Sequence, residues 1–204
     1  MQRQIFTIGH SNHTIETFIG LLRKHGIAVV GDVRSHPYSK YHSQFSLKAL
    51  KSRLDKSGFS YMFLGKELGA RSENPICYVH GKVQFDLLAE EPCFSEGLDR
   101  VRNAMESRRI ALMCAEKDPL NCHRAVLVAR KLYESGIQVE HIHADGSLET
   151  HENLELRLMS HLNIPEGDLF RSRVECLKEA YAIQGEQIAY EDKTAVEEQA
   201  RARA

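Results

Sequence analysis

The feature that most constrains this chain is a repeated alternation of short β-prone runs with amphipathic stretches of helical period. Residues 3–9 (RQIFTIG) form the first β-prone run. Residues 14–25 (TIETFIGLLRKH) follow, with Ile15, Phe18, Leu21 and Leu22 at helical spacing and Gly26 as the stop. The unit then repeats: an apolar run at 27–33, a polar loop, and a helix over about 46–56, capped by Ser46 and closed near Gly58. Further β-prone runs stand at 59–64, 109–114 and 137–142, and further helices at about 95–107 and 122–134, the latter ended by Gly136. Residues 65–92 carry no clear period.

Strands alternating with helices of this length predict βαβ crossovers and an α/β fold. The expected architecture is a mainly parallel sheet with helices on both faces, a Rossmann-like three-layer arrangement in a single domain over residues 1–192. Residues 193–204 (KTAVEEQARARA) lack an apolar face and are expected to form a disordered, charged tail.

In such a sheet the loops that follow the strands' carboxyl ends share one rim, where ligands bind. That rim should carry Gly9 to His13, Asp32 to Arg34, the stretch CAEKDPLNCHR at 114–124, and His143 to Gly146. The last-but-one of these resembles the thiolate loops of cysteine phosphatases, but its spacing excludes them. They need an Arg six positions after the Cys, and those positions hold Leu120 and Val128. A narrower reading places Cys122, His123 and Arg124 in the first turn of a helix, where unpaired N–H groups and the helix dipole favour an anion and lower a thiol pKa.

The candidate catalytic groups are Glu116 and Asp32 as acid/base, His10 as a proton carrier or donor, and Cys122 as nucleophile. The candidate ligand-binding groups are Ser11, Arg34, Ser39, Lys40, His123 and Arg124. Ser39 and Lys40 belong to the loop SHPYSKYHSQF (35–45), whose aromatics and hydroxyls suit a nucleotide. For several there is a plainer alternative: Cys122 packed as a small apolar residue, Asp32 paired with Arg34, Arg124 paired with Glu116 or Asp118, Ser11 as a helix cap, and the 35–45 loop as a surface connection whose aromatics cover the core edge.

With 27 basic and 28 acidic residues among 204, no global field draws a polyanion to the chain. The start lacks the apolar core of a leader, and no run of about 18 apolar residues appears. A cytoplasmic location and no membrane partner are expected. Five cysteines, an odd number, fit reduced thiols, with Cys77, Cys93 and Cys176 filling apolar space. His141 with His143, and Cys77 with His80, are the nearest approach to metal-ligand spacing, and neither makes a paired site.

The segments TIGHS (7–11), DVRSHPYSK (32–40), FLGKELGAR (63–71), CAEKDPLNCHR (114–124), VEHIHADG (139–146) and AYAIQGEQIAY (180–190) occur in this order. Together they resemble the bacterial and archaeal family known as domain of unknown function 488. The resemblance implies a single α/β domain and an ordered return of the chain at 180–190. The family pattern has Arg where this chain has Lys40, which keeps the charge and loses the planar fork.

The leading expectation is an enzyme that binds a phosphorylated small molecule, a nucleotide or a nucleic-acid end, at the sheet's carboxyl rim. A non-enzymatic nucleotide or nucleic-acid binding module is one alternative. A metal-dependent hydrolase built on His10, His141 and His143 is the other. Neither a cofactor nor an oligomeric state is specified by the residues.

Overall fold

Alternation of side chains along the strands decides how the layers form in the structure, a computed structural model that describes residues 4–167 and 169–192. In the strand β6 (Ile110–Cys114), Ile110, Leu112 and Cys114 enter one buried cluster, while Ala111 and Met113 enter the cluster on the opposite face. Both faces of the sheet are therefore covered, as a parallel sheet requires.

Six strands are ordered β3 (Ser60–Phe63), β2 (Val29–Asp32), β6, β1 (Gln4–Gly9), β7 (Gln138–Ile142) and β8 (Leu148–Thr150). All pair in parallel except β8, which runs antiparallel to β7. The five strands expected from the sequence form within two residues of their predicted ends, and β8 joins them as an additional edge.

On one face lie α1 (Ile15–Lys24) and α2 (Leu47–Lys56), packing Phe18, Leu22, Leu50 and Leu54 against Phe6, Val30 and Met113. The opposite face carries α4 (Pro92–Met105) and the helical segment that ends in α5 (Arg130–Glu134). Thr14 caps α1 by accepting from the Thr17 amide, and Gly26 follows with φ +64°, a left-handed stop. Ser46 does occupy the N-cap of α2, but its hydroxyl makes no capping bond there. It accepts instead from the Ser39 amide at 3.2 Å, tying down the loop before the helix.

The segment expected as an α-helix from Cys122 begins differently. Cys122 is extended (φ −145°, ψ 132°), and Arg124–Ala129 is a π-helical turn that leads into α5. Every residue of that turn is buried. The reason is a further layer: α6 (His151–His161) and α7 (Arg173–Ile188) pack Leu154, Leu158 and Ala180 over Leu120, Ala125 and Val126.

The region without clear period, 65–92, holds a two-stranded hairpin, β4 (Tyr78–Val79) and β5 (Lys82–Val83), and the short α3 (Phe85–Glu90). Its two-residue turn is His80-Gly81, both at positive φ, the geometry that matches hairpin twist. The chain after α7 returns to this hairpin, where the Val83 amide donates to the Tyr190 carbonyl at 2.9 Å. The ordered return at 180–190 is thus present, while the tail at 193–204 lies outside the described residues. No helix among the described residues is long and apolar enough to cross a membrane.

The topology locates a crevice. From β1 and β2 the chain leaves toward the α1 and α2 face, whereas from β6, between them, it leaves toward the α5 face. Loops that part to opposite faces open a cleft at the carboxyl end of the middle strand. CAEKDPLNCHR is the loop on β6.

Candidate functional site

The floor of the crevice is the loop after β6, held from both sides. The His10 amide donates to the Cys114 carbonyl at 2.9 Å and the Ser11 amide to the Ala115 carbonyl at 2.8 Å. This close approach needs Gly9, because a Cβ there would lie 1.9 Å from the Glu116 carbonyl oxygen. Asp118 caps the following turn by accepting from the Leu120 amide at 2.9 Å, with Pro119 at the first turn position. Its carboxylate also takes two 3.0 Å bonds from Arg157.

Arg124 completes the support. Its side chain is fully buried; Nη1 donates to the Glu116 carbonyl at 2.7 Å and Nη2 to the Lys117 carbonyl at 3.3 Å. It stands outside the cavity lining, its two Nη atoms engaged by the loop that shapes the floor while its buried Nε makes no hydrogen bond among the described residues.

The loop returns Cys122 beside Cys114 and Glu116. The Cys122 thiol donates to Glu116 Oε2 at 2.9 Å. His123 Nε2 donates to the Val33 carbonyl at 3.0 Å, with its Nδ1 3.8 Å from Cys114 Sγ; burial opposes the imidazolium, but Cys122 and Glu116 raise its pKa. The ligand-type atoms of Cys114, Cys122 and His123 all lie within 4.8 Å of one another. Burial opposes a thiolate at Cys122, but its bond with Cys114, the Arg124 charge and His123 hold it well below the ordinary thiol range. Glu116 moves the other way, raised by burial and by the charge and hydrogen bond of Cys122. Cys114, facing Cys122 in a fully buried position, is held well above the thiol range. Cys122 and Glu116 therefore share a proton.

One wall is built on Asp32, which is fully buried and accepts from Arg34 Nε at 2.9 Å, Arg34 Nη2 at 2.7 Å and the Tyr61 hydroxyl at 2.8 Å. Burial works against the Arg34 charge, and Asp32 more than offsets it. Arg34 Nη2 also donates to the Phe45 carbonyl and Nη1 to His10 Nε2. His10 Nδ1 donates to the Ser11 carbonyl, and its ring stacks on Phe45 with centroids 4.3 Å apart. Burial and the neighbouring Arg34 push the His10 pKa down to about 4. His10 is a neutral acceptor toward Arg34, with neither ring nitrogen free to carry a proton to a ligand.

The facing wall comes from the segments 63–71 and 180–190. The Arg71 guanidinium stacks over the Tyr190 ring at 4.0 Å, and the Arg71 amide donates to Ser35 Oγ at 3.1 Å. Between the walls is a cavity of about 570 Å³, adjoined by a second of about 720 Å³ that shares Ser35, His36, Arg71 and Tyr190.

His10, Ser11, Arg34, Ser39, Glu116, Cys122 and His123 line the first cavity, as do Cys114, Arg71, Tyr38 and Tyr190, which the sequence reading did not assign to a site. Arg71 and Tyr190 stand in two of the segments that carry the family resemblance, and this was the available signal for them. Asp32 lies behind Arg34, and Lys40 is exposed with its ammonium 5.9 Å from the Tyr41 ring. Neither Asp32 nor Lys40 lines the cavity.

The three histidines considered for a metal are not brought together. Buried His141 bonds Thr7 and His151, His143 pairs with Glu149, and His10 is engaged as above. Cys77 is buried, and His80 sits in the hairpin turn without joining a ligand group among the described residues. All five cysteines are free thiols, with Cys93 only half-buried.

The family described as Domain of unknown function DUF488 matches residues 14–131. No curated protein and no solved structure matches the chain.

Proposed function

The chain belongs to the DUF488 family, and we propose that it is an enzyme, a hydrolase or transferase, acting on a phosphorylated, nucleotide-like ligand at the sheet's carboxyl rim. The observation that carries this reading is the Glu116 carboxyl, 2.9 Å from Cys122 Sγ, on the floor of a cavity whose walls bear Arg34, Arg71, Tyr38 and Tyr190. An acid/base group, two guanidinium groups and two aromatic faces are what such a ligand asks for.

The arginines divide the work. Arg34 has five N–H groups, and its bonds to Asp32, His10 and Phe45 occupy four, leaving one on Nη1. It orients an anion with a single bond. The Arg71 guanidinium is held by its stacking on Tyr190 and makes no hydrogen bond among the described residues, so its fork is the principal phosphate contact. Tyr38, 75% exposed at the mouth, offers a stacking face for a base. Glu116 takes the proton from the attacking hydroxyl or water and returns it to the leaving group. Free thiols at the site fit the reducing cytoplasm.

Calorimetric titration with nucleoside mono- and diphosphates and with inorganic phosphate tests the reading. Arg71→Ala should weaken binding at least about tenfold, the loss of one charge-assisted contact. Glu116→Gln should keep binding and lose turnover. If no phosphorylated ligand binds, or Arg71→Ala binds as the natural protein does, the reading fails. Binding without turnover of any ligand in the natural protein leaves the non-enzymatic module instead.

A further inference from the structure

From the side chains on the cavity floor we infer that Cys114, Cys122 and His123 form a binding site for one zinc-class divalent cation, with its open position facing the cavity beside Glu116. The site needs no ligand from the proposal above and stands or falls separately.

The donor set is the first argument. Two thiolates and an imidazole are soft and borderline ligands, the combination that selects zinc over magnesium or calcium. Three protein ligands with access to a cavity describe a site with an open coordination position, since closed structural zinc sites use four. All three residues are buried, and all three line the cavity.

Distances are the second. Tetrahedral zinc, with bonds of about 2.3 Å to sulfur and about 2.05 Å to nitrogen, places sulfur and nitrogen about 3.6 Å apart. Cys114 Sγ and His123 Nδ1 are 3.8 Å apart, and the third ligand atom is within 4.8 Å of both. Shifts of a few tenths of an ångström to about one ångström bring the set onto one ion.

The orientation of the His123 ring is the third. A metal-bound imidazole donates its other N–H to a carbonyl or carboxylate, which orients the ring and fixes the free lone pair. His123 Nε2 donates to the Val33 carbonyl at 3.0 Å, and its other nitrogen, Nδ1, faces the sulfur atoms, where an arriving cation would displace any proton it holds.

The inference changes the role of Cys122 from the nucleophile expected of the sequence to a ligand. Glu116, hydrogen-bonded to Cys122, then stands where it can accept a proton from whatever occupies the open position. Loading the ion releases the thiol protons to solvent.

The experiment uses the full chain, stripped with a chelator under reducing conditions and titrated with Co²⁺ as a spectroscopic stand-in, then with Zn²⁺ against a competing dye. One equivalent of Co²⁺ should bind with thiolate-to-metal charge-transfer and tetrahedral visible bands, and one equivalent of Zn²⁺ should displace it. Cys122→Ser and His123→Gln should each lose more than about tenfold in affinity, beyond what a lost supporting group alone costs. Cys93→Ser should bind as the natural chain does. Less than a tenth of an equivalent bound by folded natural protein, a spectrum without charge transfer, or undiminished binding in both variants overturns the site. So does an intramolecular Cys114–Cys122 disulfide that persists under reductant. Because the titration contains no phosphorylated ligand, its failure leaves the proposed reaction standing, and failure of ligand binding by metal-free protein leaves the metal site standing.

Discussion

Acidification should unfold this protein through a buried histidine chain that lies outside the cavity lining. Thr7 Oγ1 meets His141 Nδ1 at 2.8 Å, His141 Nε2 meets His151 Nδ1 at 3.0 Å, and His151 Nε2 meets the Tyr181 hydroxyl at 2.9 Å. Both rings are fully buried. Only one proton fits between the two imidazoles, and a further proton on the chain puts a positive charge into a dry interior. Burial first, and Arg130 in addition, hold the His151 pKa at about 4, against 6.5 ordinarily. His141 is held well below 6.5 by burial and by His151.

Between about 4 and 6.5 the unfolded chain therefore binds a proton that the folded chain refuses, so stability falls as pH falls through that window and is level above it. For His151 alone the loss is about 2 kcal/mol at about pH 5 and approaches about 3 kcal/mol below pH 4. Urea unfolding followed by circular dichroism at about pH 7.5, 6, 5 and 4.5 reads it together with the like contribution of His10, and comparison with His151→Gln separates the two. His151→Gln should be less stable at neutral pH and show a shallower slope. An unfolding free energy that stays level within about 0.5 kcal/mol between pH 7.5 and 5 would refute the account.

Two further outcomes follow from the crevice. Asp32→Ala leaves the Arg34 charge buried without its carboxylate and should cost about 3–5 kcal/mol, read as a lower urea midpoint. Gly9→Ala forces a Cβ against the Glu116 carbonyl and should cost about 1–3 kcal/mol. Gly20→Ala, with nothing within 4 Å, should instead stabilise α1 by up to about 1 kcal/mol, which thermal melts of the two variants separate.

Much of the sheet was legible because its signals are local. Residues 109–114 are apolar at every position after Arg109, as a strand buried on both faces must be, and the glycines after the helices mark their ends. The short elements β4, β5 and β8 were not legible. Two or three residues carry no period, and their pairing partners lie elsewhere in the chain. The π-helical turn escaped for a related reason, since its apolar residues also suit an α-helix and only the layer of α6 and α7 reveals how they pack.

The sequence by itself determined the class of fold, the rim, and the loop 114–124 as the place to look, because period and strand-end position are properties of consecutive residues. What each polar side chain does there was decided by the tertiary structure. Arg124 turns inward to two carbonyls, Lys40 stays in solvent, and His10 is spent on Arg34. Arg71 and Tyr190, distant in sequence, meet on one wall of the cavity only because the chain returns to the hairpin. Charge and hydrogen-bonding capacity are written in the residue type, but whether they are spent within the fold or left for a ligand depends on which groups folding brings within about 3 Å.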